Sequence, residues 1–214
     1  MRYLIVCGGK IDKEFGLNEI KTDGIDVIIA ADSGMDFLYE NGVTPDIIVG
    51  DFDSTTTNAL EYFERKGQTE IRRLNPIKDD TDTEYAIRLA ISEGARSIVL
   101  LGATGSRIDH VLGNISLLGI GLESGTDISI IDTNNRIRMA DKPVTIEKSA
   151  QYGRFVSLIA LTDDNEVSLK GFKYPVTDYS FDRFTSLGIS NEIVDDHALI
   201  DIHRGKFIII ESKD

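Results

Sequence analysis

Over residues 1–126, short runs of β-branched and aliphatic residues at 26–31, 46–50 and 97–102 alternate with segments whose apolar positions recur at the helical period of 3.6. That alternation predicts a parallel α/β sheet. Residues 1–9 read as a further strand running into a glycine turn. The spacing predicts helices over 33–41 and 57–66, each followed by a glycine, Gly42 and Gly67, suited to the left-handed residue that ends a helix. Thr81-Asp82-Thr83-Glu84 is a capping-box sequence ahead of Tyr85, Ala86, Leu89 and Ala90, which sets Asp82 in the first turn of a third helix. Val111, Leu112, Ile115 and Leu118 predict a fourth over 109–122.

From residue 127 the helical spacing disappears. Strand-like runs follow at 128–132, 144–147, 155–161, 167–169, 198–203 and 206–211, and Arg204-Gly205 reads as a tight hairpin turn between the last two. The expected organisation is an α/β domain over 1–126 and a small all-β domain over 127–214.

Composition adds exclusions. The apolar runs at 98–101 and 207–210 fall far short of the roughly 20 residues that cross a bilayer, so no membrane association is expected. A formal net charge of −13 argues against a nucleic-acid partner, which needs clustered Lys and Arg, and suits a metal ion or a cationic ligand. The N-terminus lacks the cleavage site of a secretory signal, and the single cysteine, Cys7, can form no internal disulfide. Both point to the cytoplasm.

The acidic residues carry the candidate chemistry. Ligands of open α/β sheets bind at the carboxyl ends of the strands. Asp32 follows the strand at 27–31, Asp51 and Asp53 follow 47–49, Asp82 opens a helix after the extended segment 70–74, and Asp109 comes after 97–101 and its glycine turn. Carboxylates within ~4 Å repel by roughly 1 kcal/mol in water and by more when desolvated. A magnesium ion, which takes one or two carboxylates plus phosphate oxygens, relieves that repulsion. Gly50-Asp51-Phe52-Asp53-Ser54 is accordingly read as a site for a hard divalent cation. No Gly-x-x-x-x-Gly-Lys-Ser/Thr is present. The candidate phosphate cradle is Gly102-Ala103-Thr104-Gly105-Ser106-Arg107, a strand-to-helix turn offering backbone N–H groups and a guanidinium, with Lys78 as a second cation. His110, His197 and His203 are too scattered to support a Ser-His-Asp triad or a zinc spacing, so general-base work falls to an aspartate.

Taken in order, Ala31-Asp32-Ser33-Gly34, Gly50-Asp51-Phe52-Asp53-Ser54, Asp79-Asp80-Thr81-Asp82 and the run from Gly102 to His110 resemble the thiamin pyrophosphokinase family. Gly171-Phe172-Lys173-Tyr174-Pro175 and Gly188-Ile189-Ser190-Asn191-Glu192 extend the resemblance through the second half. It implies an α/β catalytic domain, a thiamin-binding β-sandwich, and a homodimer with active sites between subunits. The implied reaction converts ATP and thiamin to AMP and thiamin diphosphate with Mg2+. By position, Asp51, Asp53 and Asp82 are the implied metal and catalytic acids, supported by Asp32 and Asp109. Thr104, Arg107, Lys78, Asp32 and Asp109 fall to ATP. Ser190 and Asn191 fall to thiamin, and Tyr174 stands in for an aromatic wall in a chain without tryptophan. Three other readings stay open. Asp51-Phe52-Asp53-Ser54-Thr55 also fits the Asp-x-Asp-x-Thr motif of haloacid-dehalogenase-like phosphatases, with Asp51 as nucleophile, although it follows about the third strand rather than the first. The others are a pterin diphosphokinase sharing the catalytic half, and a non-enzymatic nucleotide- or thiamin-sensing module.

Overall fold

The computed structural model describes residues 1–52, 57–75 and 80–214 and divides into two compact units, Met1–Thr133 and Asn134–Asp214. The first unit runs β1 (Arg2–Val6), α1 (Lys13–Ile20), β2 (Val27–Ala31), α2 (Gly34–Glu40), β3 (Ile47–Gly50), α3 (Thr57–Lys66), β4 (Glu70–Arg73), α4 (Asp82–Ser92), β5 (Ser97–Leu101), α5 (Ile108–Ser124) and β6 (Asp127–Ile131). Its strands pair in parallel in the order β6-β5-β1-β2-β3-β4. Strands such as β3 and β5 are apolar along nearly their whole length because a parallel sheet is covered on both faces. Leu4, Val6, Ile48 and Leu101 from the strands pack with Met35, Leu38 and Phe63 from the helices. The order reverses between β1 and β5, so the loops after these strands diverge there and leave the crevice in which open α/β sheets bind ligands.

The helix ends follow their local signals. Gly42, Gly67 and Gly125 adopt φ of 69°, 63° and 73°, which closes α2, α3 and α5. At the start of α4 the Thr81 hydroxyl accepts from the Glu84 N–H at 3.2 Å, and the Glu84 carboxylate is engaged by Arg88. Among the described residues no helix is long and apolar enough to cross a membrane.

The second unit runs β7 (Asn135–Ala140), β8 (Val144–Glu147), β9 (Phe155–Ala160), β10 (Glu166–Lys170), β11 (Val176–Ser180), β12 (Asn191–Glu192), β13 (His197–Arg204) and β14 (Phe207–Ser212). Antiparallel sheets β12-β9-β14-β7 and β11-β10-β13-β8 face one core of Val156, Leu158, Val167, Ile200, Phe207 and their neighbours, so this unit is a β-sandwich.

Two sequence expectations change. Residues 127–131, read as the start of the β domain, form β6, which pairs in parallel with β5 and closes a β-α-β unit in the first domain. Arg204-Gly205 is not a hairpin turn, because β13 and β14 belong to different sheets. Gly205, at φ 88°, lies against the 162–165 loop, where Lys206 N–H donates to Thr162 at 3.1 Å, and there the chain crosses the sandwich. β7 and β11 had no clear sequence signal. In β7, Arg136 and Arg138 interrupt the apolar pattern, yet both pair with the fully buried Glu211 of β14 at 2.7 and 2.8 Å.

Candidate active site

Two strand ends and one helix start converge in the first unit. Beyond β2, the Asp32 N–H donates to the Val49 carbonyl at 2.8 Å, and the Asp32 carbonyl accepts from Met35 at 3.2 Å as α2 begins. Asp32 itself is left-handed, with φ 48°, a conformation uncommon for a residue with a Cβ and costing about 1–3 kcal/mol when imposed. Gly34 is required next, since a Cβ there would run into the Val6 carbonyl. Beyond β3, Gly50 lets the two loops close: a Cβ would stand 3.2 Å from the Asp32 Cα. Asp51 follows, then Phe52, also left-handed at φ 64°, with its ring packed on the core and the Arg73 guanidinium 5.3 Å from its centroid. Strained backbone on both sides of one cleft is characteristic of functional loops.

Asp82, in the first turn of α4, completes the group. One carboxylate oxygen each from Asp32, Asp51 and Asp82 lies within 4.8 Å of the others, and all three residues are half-buried. Around an octahedral Mg2+ at ~2.1 Å, opposed ligands stand about 4.2 Å apart. An all-oxygen donor set at this spacing therefore fits one hard dication with little adjustment. Asp53 and Lys78, the remaining candidates of this region, lie outside the described residues.

The glycine turn after β5 lies at the β1–β5 crevice. Gly102 is left-handed at φ 71°, and its carbonyl accepts from the Gly9 N–H at 2.9 Å. Asn114 of α5 donates to the Ala103 carbonyl at 2.8 Å, and the Thr104 hydroxyl donates to Asp132 at 2.9 Å. Asp132 carries no separate signal in the sequence, where 128–132 reads as a strand of the β domain. It follows β6 just as Asp32 follows β2 and Asp51 follows β3, which is the signal that finds it. Cys7, beside Thr83, is buried, which pushes its thiol up to about 11 and makes it no nucleophile at neutral pH.

Asp109 does not belong to the aspartate cluster. It is held by Arg107, whose Nε and Nη2 donate at 3.2 and 2.6 Å on an exposed helix start. That fork holds the Asp109 carboxyl down at about 2. A lowered carboxyl favours the folded state above its unfolded value, near 3.9, and this contribution is lost as pH falls towards 2. Asp109 therefore contributes no limb to a pH–rate profile above about pH 4. In an NMR titration of the side-chain carboxyl, R107A should return the Asp109 midpoint towards about 3.9. A midpoint unmoved by the substitution would show that Arg107 is not its cause.

In the β-sandwich, Tyr174, Ser190 and Asn191 come together. Asn191 is buried, and its amide is committed to backbone: Oδ1 accepts from Tyr174 at 3.0 Å and Glu192 at 2.9 Å, and Nδ2 donates to the Tyr174 carbonyl at 2.9 Å. The Tyr174 ring is left exposed, with the Lys173 ammonium 5.5 Å from its centroid. Lys173 and then Arg154 hold the Glu192 carboxyl below its usual range. Ser190 is left-handed at φ 61° and its N–H donates to Ser157 at 3.0 Å. On the other sheet, Ser168, His203 and Asp178 lie within 3.3 Å of one another, a grouping invisible in the sequence. Ser168 is 2% exposed and its hydroxyl accepts from the Asp178 N–H, so this cluster staples the β10–β11 bulge.

Residues 21–130 match the family model described as thiamin pyrophosphokinase, catalytic domain, and residues 143–207 match thiamin pyrophosphokinase, vitamin B1 binding domain. The chain is 34% identical over 195 residues to a thiamine pyrophosphokinase of Bacillus subtilis, covering 90% of each. It superposes on a crystal structure of the Bacillus subtilis thiamine pyrophosphokinase with a TM-score of 0.89 at 32% identity, covering 100% of both chains. It also shares the fold of the thiamin pyrophosphokinase from Candida albicans, with a TM-score of 0.81 at 21% identity, covering 99% of this chain and 88% of that one.

Proposed function

Since the chain belongs to the thiamin pyrophosphokinase family, a family of transferases, we propose that it moves the diphosphate of ATP onto the hydroxyl of thiamin with Mg2+ as its cation. The approach of the Asp32, Asp51 and Asp82 carboxylates to within 4.8 Å carries this reading of the site. Asp51, Asp53 and Asp82 would hold Mg2+, which when bound supplies charge neutralisation for the phosphates, and Asp32 lies beside them.

The chain's own groups then position and move a proton. The thiamin hydroxyl oxygen forms a bond to the β-phosphorus as the bond from that phosphorus to the AMP oxygen breaks, and the hydroxyl proton passes to a carboxylate. Asp82 is assigned that role because it is fixed on a helix start. The N–H groups of the 102–107 turn, that of Thr104 among them, hold the phosphates in line together with Arg107 and Lys78, so catalysis is chiefly orientation and electrostatics. Asp109 orients Arg107 until a phosphate displaces it. Tyr174 and Ser190 take thiamin, whose thiazolium ring is a fixed cation suited to an aromatic face, and Asn191 serves that site by fixing the Tyr174 backbone. We assign ATP to the α/β part and thiamin to the β-sandwich, and the working form to a cytoplasmic homodimer.

The phosphatase reading is not supported, since both matching family models describe thiamin pyrophosphokinase domains. Incubation with Mg2+, ATP and thiamin should give AMP and thiamin diphosphate in equal amounts. Phosphate released without AMP would overturn the proposal.

A further inference from the structure

We propose that Asp132 is a positioning residue for diphosphoryl transfer, acting through Thr104 to hold the 102–107 turn with its N–H groups aimed at the phosphates. This rests on the reading of that turn as the phosphate cradle. Three consecutive residues of the turn are tied to three different elements. The Gly102 carbonyl accepts from Gly9 beyond β1, the Ala103 carbonyl accepts from Asn114 on α5, and the Thr104 hydroxyl donates to Asp132 at the end of β6. A trans peptide sets its N–H opposite its carbonyl, and the described chain has no cis bond. With the Gly102 and Ala103 carbonyls committed, the N–H groups of Ala103 and Thr104 are turned away from those partners. The third tie is a side-chain one and stops Thr104 from turning back.

The chemistry of the pair narrows its role. A carboxylate at neutral pH only accepts, and a threonine hydroxyl has one proton, so that proton is committed to Asp132 and not to a phosphate. Thr104 then serves the turn through its backbone. A negative charge beside a phosphate site opposes substrate, so the part assigned to Asp132 here is its hydrogen bond to Thr104.

Steady-state kinetics on D132A, T104V, the double variant, D132N and R107A separates the possibilities. D132A and T104V should each raise the KM for ATP about tenfold, the scale of one lost charge-assisted hydrogen bond, with the KM for thiamin unchanged. The penalties of D132A and T104V should not multiply in the double variant, because both substitutions remove the Thr104–Asp132 bond. D132N keeps an acceptor oxygen and sheds the charge, so its KM for ATP should stay at or below the wild-type value. Wild-type KM for ATP in D132A, multiplying penalties in the double variant, or D132N as poor as D132A would each overturn the inference. If D132A does not fold, T104V and D132N carry the test between them. R107A reports on the cradle separately: unchanged KM for ATP in R107A would sink the cradle reading, whereas a raised value beside an unaffected D132A would sink only the role of Asp132.

Discussion

Asp51→Ala is expected to lower kcat for diphosphoryl transfer by roughly a thousandfold, the scale reported for loss of a single preorganised electrostatic group, while leaving the cation-free protein as stable as before or slightly more so. The opposite signs have one origin. Asp32, Asp51 and Asp82 bring carboxylate oxygens within 4.8 Å of one another, so without a cation the folded state carries their mutual repulsion. Removing one acid relieves about 1 kcal/mol of it at partial exposure. The same deletion removes a ligand from the proposed Mg2+ site. Two measurements check this: AMP formation, and thermal melting with and without Mg2+. Mg2+ should raise the melting temperature of the wild-type chain and do so much less for the variant. Turnover retained by Asp51→Ala would take Asp51 out of the site.

The largest loss of stability is expected in the other unit, from Glu211→Ala. Glu211 is fully buried and accepts from Arg136 at 2.7 and 2.9 Å, from Arg138 at 2.8 Å and from the Tyr152 N–H at 2.9 Å. Truncating the carboxylate leaves two guanidinium groups, each only about a quarter exposed, without their shared counter-charge. Breaking such a buried pair costs about 3–5 kcal/mol, a large share of the roughly 5–15 kcal/mol that stabilises a folded chain. Urea denaturation of the two proteins measures the difference, and a loss below about 1 kcal/mol would mean that the arginines find water instead.

How far the sequence disclosed this molecule depended on whether a signal was local. The α/β alternation, the glycines that close α2 and α3, and the Thr81 cap of α4 are each set within a few residues, and all were readable there. The position of Asp32 and Asp51 just past buried strands was readable too, because strand ends in a parallel sheet share one edge. β7 was not. Its arginines look like solvent-facing positions until Glu211, 73 and 75 residues away in sequence, is placed beside them. β6 was read with the wrong neighbours, since a strand-like run carries no mark of whether its partner will be parallel or antiparallel. That assignment hid Asp132, although its place after a strand is the one that identified Asp32 and Asp51.

By itself the sequence determined the two-part architecture, the family resemblance, and which acids stand at strand ends, because each rests on periodicity, capping or motif order along the chain. Only the tertiary structure decided which acids meet. It brings Asp32, Asp51 and Asp82 together, ties Asp109 to Arg107 instead, and joins Thr104 to Asp132 across the β5–β6 pair. The reason is physical: a carboxylate's neighbours depend on strand order and on backbone turns such as the left-handed Asp32 and Phe52, which sequence period alone does not encode.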